Sequence, residues 1–203
     1  MTDRSYPKVY IDRGGDRLVI QTGGKIQAEP GAVCGVVSNG VSAVDNVTAA
    51  ASNNAFVDFV QTVTIPASTL NSGQRIRVKA NVRVTNASGT DTLTCKVKIG
   101  STDLISTTAV DPGAAGDSHQ LEYELTVRAD AGAAVSCQGY GKTVTNTGGT
   151  LAHGAKCGAD GASSGAEFNL ATNGDLIIAV SGKWSSNTAS TSARLENLTV
   201  EVE

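Results

Sequence analysis

The sequence predicts an all-β protein: a two-sheet antiparallel jelly-roll sandwich of about eight strands, preceded by an extended N-terminal arm. Three observations lead there. From Gln74 to Thr85 apolar and polar residues alternate without a break. Ile76, Val78, Ala80, Val82 and Val84 share one parity, and Arg75, Arg77, Lys79, Asn81 and Arg83 the other. A strand turns successive side chains to opposite faces, so this run has one dry face and one wet, basic face; a helical period of 3.6 would scatter the same residues. The period recurs at Val57, Phe59, Val63 and Ile65, at Leu93, Cys95, Val97 and Ile99, and at Leu121, Tyr123, Leu125 and Val127. Turn signals then separate the runs at short spacing: Asn71-Ser72-Gly73, Asn86 to Gly89, Asp111-Pro112-Gly113 and Asp130-Ala131-Gly132.

Composition bounds the rest. A chain of 203 residues holds one substantial core. The net charge of −3 is too small to imply nucleic acid or membrane as a partner. No apolar run approaches the ~20 residues needed to span a bilayer, and the opening residues carry no apolar signal region, which predicts assembly in a cytoplasm. Cys34, Cys95, Cys137 and Cys157 are far apart with no Cys-x-x-Cys pair, against a zinc ribbon or a thioredoxin-like site. Cys95 and Cys137 lie on alternating runs and read as small buried apolar residues.

In chain order, residues 1–55 form an arm and linker, and residues 56–203 the sandwich. In the arm, Val9-Tyr10-Ile11 and Leu18-Val19-Ile20 are short apolar patches set off by Gly14-Gly15 and Gly23-Gly24. Isolated two-stranded hairpins are marginal in water, so the patches are expected to find partners elsewhere, on another subunit or protein; the alternative is an ordinary first hairpin folded onto the domain. Val41, Val44 and Val47 with Ala49 to Ala51 allow a short helix in the linker. Strands follow over Phe56 to Ile65, ended by Pro66, then Gln74–Thr85, Thr92–Ile99, a weaker one over Asp103–Val110, Gln120–Arg128 and Ala133–Thr145. A long loop rich in Gly, Ala and Ser is expected from about Asn146 to Asn173. Leu176–Val180, ending near Trp184, reads as a central strand. In Ala193–Glu203 the apolar parity switches between Leu195 and Leu198, which places a β-bulge at Glu196-Asn197.

Cross-strand charge suggests how the sheets pair. The closing strand presents Thr199, Glu201 and Glu203 outward, and Thr92–Ile99 presents Thr94, Lys96 and Lys98. Opposite charges favour neighbouring strands, so these two are expected side by side, with the basic strand Arg75–Thr85 at or next to a sheet edge.

Catalytic chemistry is sought in vain. His119 and His153 are the two histidines. Ser118 and His119 are adjacent and cannot act as nucleophile and base in the usual geometry, so His119 reads as a turn residue. His153, Cys157 and Asp160 share the long loop but lack an evident fourth ligand. Glu122 and Glu124 have the same parity and point outward, not across a cleft as a glycosidase requires. The basic row of Arg75, Arg77, Lys79 and Arg83 has no exposed aromatic run beside it to stack bases. No catalytic, cofactor or metal site is expected.

The opening Tyr6-Pro7-Lys8-Val9-Tyr10-Ile11-Asp12-Arg13-Gly14-Gly15-Asp16, followed by Leu18-Val19-Ile20 and Gly23-Gly24, resembles the N-terminal arm of small structural proteins of tailed-bacteriophage particles. Thr64-Ile65-Pro66-Ala67-Ser68-Thr69-Leu70 with Gly73 and the alternating strand is similar to jelly-roll domains of phage head-decoration, head-fibre and tail-fibre proteins. The resemblance implies a non-enzymatic capsid decoration, or cement, protein, a homotrimer on the outer surface of the phage head. Its arm would contact the major capsid protein through Tyr6, Val9, Tyr10, Ile11, Leu18, Val19, Ile20 and Ile26. The alternative is a head- or tail-fibre module that binds a surface glycan, for which Trp184, Tyr140 and Phe168 are the candidate aromatic platforms.

Overall fold

The computed structural model describes residues 9–11, 18–20, 46–48, 54–67, 69–86, 91–112, 116–130, 134–147, 150–157, 167–186 and 191–203. Among them there is no helix. The chain divides into two compact units, Met1–Cys34 and Gly35–Glu203.

In the first unit β1 (Val9–Ile11) pairs antiparallel with β2 (Leu18–Ile20), Tyr10 opposite Val19. The two apolar patches thus satisfy their backbone groups on each other, where the sequence reading had each seeking a partner elsewhere. The second unit is a sandwich of two antiparallel sheets. The expected linker helix meets a strand instead: β3 (Asn46–Thr48) pairs with the last strand of the chain, and the remaining residues of that segment lie outside the described ones.

The smaller sheet has the order β4 (Val57–Ile65), β12 (Leu176–Trp184), β6 (Leu93–Ile99), β7 (Thr102–Ser106). The near-continuous apolar run of β12 is central, as its sequence predicts. The larger sheet runs β10 (Thr150–Cys157), β9 (Ala134–Thr147), β8 (Ser118–Asp130), β5 (Arg75–Asn86), β13 (Ser192–Val202), β3, with β11 (Phe168–Ala171) also on β9. The inner faces meet in one core. Ile76, Val78, Val82, Leu121, Tyr123, Leu195 and Val200 of the large sheet bury with Phe59, Leu93, Val97, Leu104, Ile178 and Trp184 of the small one. Every one of these positions except Leu104 comes from an alternating or near-continuous apolar run. Full burial of such side chains contributes about 1.5–3 kcal/mol each.

Four expectations are corrected here. β10 and β11 occupy part of the segment read as a loop over 146–173. Ala152 and Gly154, the β10 residues opposite the buried Thr145 and Thr143, are small and exposed and show no apolar alternation, and among the described residues β10 is an edge strand paired to β9. The weak strand over Asp103–Val110 shortens to β7, with Val110 keeping a single bridge to Leu93. The closing strand β13 does not pair with Thr92–Ile99; it lies between β5 and β3. The basic strand β5 is not at an edge but between β8 and β13. The parity switch in β13 is a register shift between Leu195 and Asn197, as expected of a bulge. At the β4–β5 connection Gly73 takes φ of +89°, which a side chain would resist.

Candidate functional site

Of the arm residues expected to make an interface, Val9, Tyr10, Ile11, Leu18, Val19 and Ile20 lie on β1 and β2. Tyr6 and Ile26 lie outside the described residues. The sites whose geometry is defined are both on the sandwich.

The first is the outer face of the large sheet. Strand register sets its side chains in rows that cross the strands. One row runs Glu201, Arg77, Glu124, Tyr140, and the next Thr199, Lys79, Glu122, Lys142. Between them the inward-pointing Val78, Tyr123 and Gly141 turn only backbone toward this face and are almost wholly buried, so their row is the floor of a trench between the walls. The trench encloses about 170 Å³ over β5, β8 and β9. Ion pairs run along the walls. Arg77 Nε donates to Glu124 Oε2 at 3.0 Å, and Arg77 Nη1 reaches Glu203 at 3.4 Å and Glu201 at 3.7 Å. Lys142 Nζ lies 3.0 Å from Glu122 Oε2, and Arg75 Nε 3.2 Å from Glu124 Oε1. The hydrogen bond to Glu124 and the charges of Glu203 and Glu124 hold the Arg77 guanidinium even more firmly protonated; Glu122 does the same for Lys142. Of the basic row read from the sequence, Arg75 and Arg77 are therefore matched by carboxylates, Arg77 from both sides.

Tyr140 stands at the end of one wall, 56% exposed. The other two aromatic candidates are not comparable. Trp184 is fully buried in the core, and Phe168 is half-buried, packed against it. Glu122 and Glu124 do point outward, as their parity requires, into ion pairs.

The second site is a polar mouth between the sheets, about 130 Å³, lined by Ile105, Ser106 and Thr108 on one side and by Thr143, Thr145, Ala152, His153 and Gly154 on the other. Beside Thr145 in the strand register is His119, which is not a turn residue but a fully buried member of β8. Its parity matches Leu121, so the same alternation that faced Leu121 inward placed it there. Neither ring nitrogen, nor the Thr145 hydroxyl, has a hydrogen-bond partner among the described protein groups. Burial disfavours the imidazolium and pulls the His119 pKa down to about 4, with nearby Asp117 opposing. His153 and Cys157 fall on β10, and Asp160 lies outside the described residues; among the described residues no three His, Cys, Asp or Glu side chains gather as a metal site.

Cys95 and Cys137 are buried and free, and burial raises both thiols, Cys137 to about 11.

No family model matches the chain, and no curated protein does. Among solved structures, a legume lectin-like domain from Entamoeba histolytica aligns at 8% identity and a TM-score of 0.25, covering 85% of this chain and 88% of that one. A family 18 polysaccharide lyase aligns at 9% identity and a TM-score of 0.23, covering 72% and 80%. An alginate lyase from Alteromonas sp. 272 aligns at 11% identity and a TM-score of 0.22, covering 70% and 78%.

Proposed function

We propose that this chain is a non-enzymatic structural protein of a tailed-bacteriophage particle, a decoration protein that docks on the outside of the head through its N-terminal arm. The observation that carries the reading is the division of the chain. A small N-terminal unit of two three-residue strands precedes a sandwich whose core, among the described residues, runs from Phe59 to Val200. In this reading the N-terminal unit engages the major capsid protein and the sandwich holds its own fold. The resemblance of the opening residues to virion arms supplies the partner. Assembly takes place in the host cytoplasm, with a homotrimer as the expected unit. Stabilisation works by mass action: a protein that binds the assembled shell and not its dissociated subunits shifts the equilibrium toward the shell. The competing reading, a fibre module for host recognition, is favoured by one observation, the exposed ring of Tyr140 beside the trench.

Cryo-electron microscopy of purified particles tests the proposal. Many symmetry-related copies on the head, and a rise in the disruption temperature of bare heads on adding the protein, are the expected results. A few copies confined to the tail tip, or none on the particle, would overturn it.

A further inference from the structure

The trench on the large sheet has a composition that points to a particular ligand class. Across β13, β5, β8 and β9 its walls carry Arg77, Lys79 and Lys142 against Glu122, Glu124 and Glu201. The charges cancel, and the ion pairs of Arg77 with Glu124 and of Lys142 with Glu122 run along the walls, not across the floor. A polyanion or polycation would have to break pairs already made, and would meet a charged group of its own sign beside each opposite one. A neutral molecule rich in hydroxyls loses nothing by this arrangement. Carboxylates accept from its hydroxyls, guanidinium and ammonium groups donate to them, and Arg77, Glu124, Glu122 and Lys142 are already held in place by their ion pairs. The ring of Tyr140, exposed at the end of one wall, offers an apolar face with a hydroxyl at its edge, which suits the C–H face of a pyranose. At about 170 Å³ the enclosed volume is below the ~300–1,000 Å³ of closed small-molecule pockets. The trench is also open and crosses β5, β8 and β9, so it suits a chain that lies across the strands better than a small molecule held inside.

We propose that this trench is a binding site for a neutral hexose oligosaccharide laid across β5, β8 and β9, with Tyr140 stacking on one sugar ring. The site belongs to the sandwich alone and stands whether or not the protein decorates a phage head.

Titration calorimetry on the full chain, with maltohexaose, cellohexaose and mannohexaose as probes, is the test. At least one of the three is expected to bind, with an affinity that does not change between low and high salt, because no net charge is exchanged. Tyr140→Ala is expected to weaken that binding by at least about tenfold. An unchanged thermal midpoint for Tyr140→Ala shows that the loss is not unfolding. Oligogalacturonate and an extended neutral peptide serve as competing occupants. Absence of heat with all three hexose chains, binding indifferent to Tyr140→Ala, or preference for the uronate or the peptide would each overturn the proposal.

Discussion

A methyl group added at residue 141 would sit 2.5 Å from Tyr123 Cδ2 and 2.7 Å from both the Glu122 carbonyl oxygen and Ile105 Cδ1. Gly141 is the cross-strand partner of Tyr123, and its missing side chain makes room for the tyrosine on the inner face. Gly141→Ala is therefore expected to destabilise the sandwich by about 1–3 kcal/mol, read as a lower denaturant midpoint. His119 makes a different prediction. Its folded pKa of about 4 lies below its ordinary value of 6.5, so between those two pH values the unfolded chain takes up a proton that the folded chain refuses. Stability is unaffected by this residue above pH 6.5 and falls as pH drops toward 4, by on the order of 3 kcal/mol at the lower end. In His119→Leu the unfolding free energy should fall less steeply across that window than in the native protein; parallel curves would mean that the imidazole is solvated. Cys95 and Cys137, both buried, should react with a thiol reagent only as fast as the chain opens, and rapid native-state labelling of both would reverse the faces assigned to β6 and β9.

Strand by strand, β5 separates two acidic neighbours. Glu122 and Glu124 lie on β8, and Glu201 and Glu203 on or just after β13. Had β8 and β13 been adjacent, like charges would have faced one another; the basic row between them turns the repulsion into ion pairs. Arg77 touches carboxylates on both sides, so Arg77→Glu should lower the thermal midpoint, and the loss should shrink in high salt as the exposed charges are screened. Alternation alone disclosed β4, β5, β6, β8 and β13, because each sets large apolar side chains at period two. It missed β10, whose Ala152 and Gly154 are small and exposed. His119 reads as a turn residue when the strand is started at Gln120, although its parity with Leu121 points inward. Charge pairing was the right rule applied to an ambiguous set. The outward carboxylates of β13 matched Lys96 and Lys98 as well as they matched Arg77, while the structure gives those lysines Asp103 and Asp58. Burial pushes the Asp58 carboxyl up, but hydrogen bonds from Lys98 and Ser181 together with the charges of Lys98 and Lys96 hold it below its usual range. Of the trench, Arg77, Lys79, Glu122, Glu124 and Tyr140 each stand out in the sequence, but not as one site; its walls depend on which strands are neighbours, which alternation does not encode.

At the scale of the whole molecule, the two units differ in what they can hold together. The sandwich joins two sheets over a core of many fully buried side chains, while β1 and β2 contribute three residues each. A two-stranded ribbon of that length is marginal in water by itself, whereas sheets of four and more strands packed face to face are not. Stability should therefore reside almost entirely in residues 35–203. Removing residues 1–34 is expected to leave a soluble protein that unfolds in one cooperative transition with a midpoint close to that of the full chain. The same truncation is expected to abolish binding to phage heads, because it removes the one segment whose sequence resembles a virion arm. The two measurements separate the possible failures. A truncated chain that does not fold would make residues 1–34 part of the core. A truncated chain that folds and still binds heads would move the docking surface onto the sandwich, where the charge-balanced face of the large sheet, with Tyr140 exposed on it, would be the first place to look.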